Sequence, residues 1–419
     1  APGSDSLEHR GDSRAVARQR MSKVMTMSSA SQRSAAPDRK IRVVALGAAV
    51  LAFLPVLAFG QPPLPLAGPE PAVQAQAVGV IPSVRFAEPE VAAPRYKFAF
   101  TPGELATLQQ GTGSQPDGRA CAGCPVRHPT LAVVEVLGIN VLYNLMNLAI
   151  KPSEEKQYFR VGFSSWWDNL QYGFEWDDNA FGVNQIGHPY QGANYFTAGR
   201  SNGLSFWESA PLAALGSATW EYFGETHKPS VNDLINTTVG GIAIGEMLHR
   251  TGWLIRDPTK TGKSRLWNEI AATVIDPITG MNRFISGDAG KVSEKPEEFV
   301  PSRTAGDLEA GVLWRGDNEK AVSAAGEPYV QINLGYGDAF ASQYRQPYDA
   351  FTVGMRLGGG AAISEGLIRG RLYGKPLGKD GTSSLLVFQA YDYVTNTAYE
   401  FGGQSVFTAV SKRLKASGR

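Results

Sequence analysis

From Glu327 onward apolar and polar residues alternate with a period of two, and no other feature of the chain narrows the fold so far. "YVQINLGYG" sets Val330, Ile332, Leu334 and Tyr336 against Gln331, Asn333 and Gly335. "AFTVGMRLG" sets Phe351, Val353, Met355 and Leu357 against Thr352, Gly354 and Arg356. "GLIRGRLYG", "SLLVFQAYDYV" and "AYEFGGQSVFTAV" continue the pattern. Successive side chains of a strand point to opposite faces, so each run must present one apolar face. Runs of about ten residues have the length of strands that cross a bilayer at a tilt. A soluble β-sandwich alternates in the same way. With "GVLWRG" there are six candidate strands, against about eight in the smallest membrane barrels. "YFRVGFS" and "LQYGFEW" are candidates for two more, since Leu170, Tyr172, Phe174 and Trp176 alternate with Gln171, Gly173 and Glu175. The expectation is an α+β chain whose C-terminal part is an antiparallel, outer-membrane-type sheet, a partial or truncated β-barrel with Leu334 and Val353 facing lipid. The 47 glycines and 10% aromatics suit such an architecture, and a net charge of +1 gives no reason to expect nucleic acid as a partner.

The one long apolar run, "IRVVALGAAVLAFLPVLAFGQ", has a basic flank at Arg39, Lys40 and Arg42 and a small-x-small site at Ala58-Phe59-Gly60. It reads as a secretory signal peptide cleaved near Gly60, with Pro55 unfavourable to a stable membrane helix. Residues 1–38 read as a disordered upstream segment, with Met21, Met25 or Met27 as the start, and 39–60 as the signal. Residues 61–125 form a Pro/Ala-rich linker that cannot bury a core. In an exported chain Cys121 and Cys124 of "CAGC" are expected to form a local disulfide. Pro125 stands where a c-type haem site needs His, and a zinc site would need ligands beyond His128.

Residues 126–290 read as a helical block, 291–327 as a loop and 328–419 as the barrel-like region. Leu131–Ile150 is apolar all round except for Asn140, Asn144 and Asn147, a stripe of amides that need partners if buried. Leu204–Gly224 and Val231–Arg250 form a helical hairpin turned by "ETHKPS", with Ser230 and Asp233 spaced as a cap of the later helix. Gly241 and Gly245 make a small-residue face for helix packing, with Gly216 and Ser217 as the expected partner surface. Arg265–Ile275 reads as a short amphipathic helix. "TKTGKS" lacks the first glycine of a phosphate-binding loop, because Asp257 occupies that place. The stretch 187–203, "GHPYQGANYFTAGRSNG", reads as a polar loop closing the end of the hairpin.

"HPYQGANYFTAGRSNG", "GSATWEYFGE", "KPSVNDLINTTVGGIAIGE" and "DPITGMNR", in that order between Trp166 and Arg283, resemble the bacterial envelope family catalogued as domain of unknown function 3943. The resemblance implies an exported Gram-negative envelope protein with an outer-membrane-type β region, and it implies no activity. "KPSVNDLINTTVGG" with its upstream acidic residue has a weaker likeness to VanZ-type membrane proteins.

Ser217, Glu221 and Glu225 lie at i, i+4 and i+8 and share a helix face. His227 and Asp233 sit at the turn that Glu225 reaches. If 187–203 folds over this end, then His188, Glu221, Glu225, His227 and Asp233 cluster, with Tyr190, Tyr195, Arg200 and Asn232 as binding neighbours. Such a set can run acid/base chemistry on an envelope lipid or glycan, or hold a divalent metal through mixed N and O ligands, although no cofactor is required. It can equally be a structural polar network, with Asp233 as a cap, Glu225 paired to Lys228 and Glu221 to Arg200. No nucleophile elbow and no H-E-x-x-H motif is present. The function expected is that of an outer-membrane-associated envelope protein, structural or transport-related, with outer-membrane lipid as its partner. The alternative is a membrane-interface hydrolase or transferase.

Overall fold

The computed structural model describes residues 126–177, 179–313, 326–341, 343–378, 382–396 and 399–413. The expected upstream segment, signal peptide, linker and disulfide at Cys121 and Cys124 lie outside the described residues. Helix α1, Pro129–Ile150, opens with proline in its first turn, where the missing amide costs no hydrogen bond. Its amide stripe finds partners: Asn140 donates to Gly216 O at 3.1 Å, and Asn144 to Phe159 O at 2.9 Å and Gly224 O at 2.8 Å. Helix α2 spans Phe163–Tyr172, so "YFRVGFS" and "LQYGFEW" are not barrel strands. The alternation there was a coincidence of aromatic spacing; Asn169 of this helix donates to Glu221 O and Glu225 O instead.

The main departure from the sequence reading is 187–203. A π-turn, Val183–Gly187, runs straight into helix α3, His188–Ser201, nearly all of which is buried. Helix α4 follows at Phe206–Phe223, capped by Ser205 and Glu208 in a reciprocal box. Helix α5, Val231–Ile235, passes through a second π-turn, Asn236–Gly240, into α6, Gly241–Ile255. Helix α7 is Gly262–Ile275 and α8 is Pro277–Ser286.

Helix α3 is inserted where the hairpin of α4 and α6 was expected to close on itself. A Cβ at Gly241 would stand 2.5 Å from Gly192 C, and one at Gly245 would stand 2.9 Å from the Phe196 ring. Gly216 is covered by the Tyr195 ring in the same manner. The small residues of α4 and α6 therefore admit α3 rather than each other. One core gathers Val136, Ile139, Tyr195, Leu212 and Trp220 on the α1 side of α3. A second gathers Phe196, Phe206, Ala243 and the sheet residues Tyr336, Phe351, Ile368 and Tyr391 on the other side.

The sheet has six strands in sequence order, all antiparallel: β1 Thr304–Leu313, β2 Glu327–Tyr336, β3 Phe351–Gly358, β4 Ile363–Leu377, β5 Ser383–Thr395 and β6 Glu400–Lys412. Strand β1 occupies part of the expected 291–327 loop. Among the described residues β1 and β6 do not pair, so the sheet is open and is not a closed barrel. Leu334 and Val353, expected to face lipid, pack with Tyr336 and Phe351 against the helices. The opposite face carries ion pairs, Arg356 with Glu365 at 2.9 Å and Arg369 with Asp392. Over Leu334 and Val353 the cover of the apolar face is protein, while Val330, Ile332 and Leu357 further along it are exposed.

Candidate functional site

The two π-turns frame the site. One delivers His188 at the start of α3, and the other begins three residues after Asp233. Such wide turns are uncommon and concentrate where a helix must re-aim a side chain. Here the sheet braces both. The Tyr391 hydroxyl donates to Gln185 O, Gln389 donates to Val239 O at 2.9 Å, and Gln404 donates to Asn236 Oδ1 at 3.0 Å.

His188, Glu221 and Asp233 each offer a ligand atom, all within 4.8 Å of one another and all buried. His188 Nε2 stands 3.7 Å from Asp233 Oδ2. Asp233 is positioned by its place in the first turn of α5, where Ser230 Oγ accepts from its amide at 3.2 Å. Glu221 Oε2 accepts from the Ser230 amide at 2.8 Å, whereas Glu221 Oε1 and His188 Nδ1 are buried without a hydrogen-bond partner. Asn232, expected as a binding neighbour, is a strut: it donates to Asp177 Oδ1 at 3.0 Å and to Asp233 Oδ1 at 3.3 Å.

Asp177 was not singled out from the sequence. It arrives through a short parallel bridge, with Glu175 N donating to Pro229 O and Val231 N to Glu175 O, both at 2.8 Å. The signal available was the acidic pair in "FEWDDNA", eleven residues ahead of His188.

Burial and the neighbouring carboxylates push both Glu221 and Glu225 well above the ordinary glutamate range. Burial also raises Asp233, against the opposing pull of His188. Burial works the same way on Asp177, but hydrogen bonds from the Asn232 and Asn184 amides outweigh it and hold that carboxyl low. His227 lies at the rim, 3.9 Å from Glu225 Oε2, with its ring 4.2 Å from that of Tyr158 and its basicity lowered by burial. A cavity of about 270 Å³ opens past Tyr158, Lys151 and His227 to His188 and Glu225.

Of the remaining expected neighbours, Arg200 and Lys228 pair elsewhere. Arg200 pairs with Glu246 at 2.8 Å and with Glu298 at 3.4 Å, not with Glu221. Lys228 sits 3.7 Å from Glu175 and over the Tyr172 ring rather than on Glu225. Tyr195 is fully buried, its hydroxyl on Asn140. Burial and then the charge of Asp276 raise the Tyr190 hydroxyl, which places it towards α8. Arg200 was drawn to the site only by the loop reading of 187–203 and in a helix points to another side. Tyr195, seven residues after His188, shares its face; burial raises its hydroxyl, and Glu221 and Glu225 lie close enough for their charges to raise it further.

Residues 173–278 match the family model described as domain of unknown function (DUF3943). No curated protein matches the chain, and no solved structure does. The matched span contains Asp177, His188, Glu221, Glu225 and Asp233 together, and the chain is thus one that carries a DUF3943 domain, with the candidate site wholly inside it.

Proposed function

We propose that this is an exported envelope protein with a structural or transport-related role, seated on outer-membrane lipid through helix α1. The observation that carries this reading is the outward face of α1. Val134, Leu137, Val141, Leu145 and Ile150 are between 45% and 60% exposed, although α1 is long and apolar enough to cross a membrane. Core helices of water-soluble proteins hide such residues, but only 22% of this stretch is buried. At 22 residues α1 measures about 33 Å, close to a hydrocarbon core of roughly 30 Å. Exposed Trp167 and Trp176 follow it in the chain, a residue type favoured at the headgroup level. The buried face of α1 is already satisfied by α3 and α4. Acyl chains are the occupant that matches an uncharged aliphatic stripe of this length. The signal-peptide pattern of residues 39–60 agrees with export.

The alternative, a membrane-interface hydrolase or transferase, has in its favour the cavity that reaches His188 and Glu225. Against it, no hydroxyl or thiol among the described residues contacts His188 as a nucleophile would.

Vesicle flotation tests the seating. The wild-type chain should float with vesicles of outer-membrane lipid, while the Val134→Glu/Val141→Glu variant should stay in the soluble fraction with an unchanged circular dichroism spectrum. A wild-type chain that stays soluble as a dimer, or a variant that floats equally well, would overturn the reading.

A further inference from the structure

Among the described residues, the fully or nearly buried carboxylates fall into two groups. Glu246 is held by Arg200 at 2.8 Å and Arg250 at 2.7 Å, Asp349 by Arg371 at 2.8 Å, Glu269 by Arg283 at 2.6 Å, and Asp276 by Arg256 at 3.5 Å. Glu221, Glu225 and Asp233 have no arginine or lysine. Their cationic contacts are His188 at 3.7 Å from Asp233 and rim residue His227 at 3.9 Å from Glu225. The half-buried Asp177 adds a fourth carboxylate to the same group through Asn232. A buried charge without a partner costs several kcal/mol, and a fold that supplies arginine to every other such group has left this one to something else.

We propose that His188, Glu221 and Asp233 are the ligand set of a divalent transition-metal site, of the Zn²⁺ or Mn²⁺ kind. The inference rests on the site geometry alone and is independent of the lipid seating. Three observations converge on it. The three ligand atoms already lie within 4.8 Å of one another. Two buried polar atoms of the set, Glu221 Oε1 and His188 Nδ1, have no hydrogen-bond partner, in residues 1% and 7% exposed. The donors that would orient the ligands are in place: the Ser230 amide on Glu221 Oε2 and the Asn232 amide on Asp233 Oδ1. One imidazole with two carboxylates is a mixed N/O donor set. It suits Zn²⁺ or Mn²⁺ better than Cu⁺, which favours sulfur, or Ca²⁺, which favours six to eight oxygens. The cavity at His188 and Glu225 gives an entry path.

The competing account is that the carboxyls hold protons in place of a metal. To separate the two, the full chain is stripped with a chelator and dialysed against Zn²⁺, Mn²⁺, Ca²⁺ or Mg²⁺. Bound metal is then counted by elemental analysis and the melting temperature recorded. The expected result is one Zn²⁺ or Mn²⁺ per chain with a raised melting temperature, and no comparable effect of Ca²⁺ or Mg²⁺. Glu221→Gln, His188→Ala and Asp233→Asn should each weaken binding by about tenfold or more while the far-ultraviolet spectrum stays that of the wild type. Glu365→Gln, on the far face of the sheet where it pairs with Arg356, should leave both stoichiometry and affinity unchanged. A folded wild type that binds no ion above the level of Glu221→Gln, or that shows a protonated carboxyl stretch unaltered by metal, would overturn the proposal.

Discussion

One methyl group is enough to test how α3 is held. At Gly241 it would meet the Gly192 backbone, which cannot rotate away as a side chain can. Gly241→Ala is therefore expected to cost about 1–3 kcal/mol in chemical denaturation, the usual range for overpacking. Gly138, exposed on α1 with nothing within 4 Å of a Cβ, is the matched control. Gly138→Ala should be neutral or stabilise by up to about 1 kcal/mol, because alanine is the better helix former. If both substitutions behave alike, the close approach of α3 and α6 is not a constraint. A second residue-scale test uses the buried pair His249 and Asp276, 3.0 Å apart. Burial lowers His249 from 6.5, so the unfolded chain binds its proton first and stability falls as pH drops below about 6.5. Burial raises Asp276, but His249 and then Arg256 outweigh it and set it at about 2; its contribution is complete above 3.8 and is lost between 3.8 and about 2. The Asp276 part amounts to about 2 kcal/mol. Melting temperature against pH should fall in these two windows, and Asp276→Asn should remove the lower one.

At the scale of elements, the sheet faces can be separated by charge. Val353→Arg places a guanidinium beneath the helices, while Thr352→Arg places one on the exposed face. The first should cost about 3 kcal/mol or more in thermal unfolding and the second less than about 1 kcal/mol. Equal losses would mean that the helices do not cover β3. The same strand shows what the sequence could reveal. Its alternation gave strand and face, because period two is a property of the strand itself. What covers Val353 is a property of residues more than a hundred positions away, and no local pattern carries it. Helix α3 was hidden for a related reason. Gly192 and Gly199 weaken its propensity, and its polar residues surround it on all sides. Asn194 reaches the Tyr143 hydroxyl at 2.8 Å, Asn202 beyond its end reaches Glu135 at 2.7 Å, and Arg200 reaches Glu246. A helix buried by polar partners has no apolar stripe to betray it. His188 was brought to the cluster by the loop reading of 187–203 and reaches it instead as the first residue of a helix, but Glu221 and Asp233 could be anticipated from a helical face and a cap. Asp177 could not, since the bridge at Glu175 follows no periodicity.

Over the whole molecule, α1, the middle layer of α3, α4 and α6, and the sheet follow one another in space, and the candidate site lies in the middle layer. Its turns are tied to β5 and β6, so the sheet contributes to the site without supplying a ligand. Gln389→Ala should loosen the Asn236–Gly240 turn at a cost of about 1 kcal/mol in unfolding free energy, the worth of one hydrogen bond. The insertion of α3 also sets a temporal order. A helix enclosed between two cores cannot be uncovered by fraying one edge, because α1, α4, α6 and the sheet must part before its amides meet solvent. Amide deuterium uptake in α3 should thus proceed only through global unfolding, with protection equal to the full stability of the fold. This holds even though two glycines and a run of polar residues leave α3 poorly able to stay helical alone. Its slowest-exchanging hydrogens would then mark the last structure to be lost, at a place where the local sequence gives little reason to expect it.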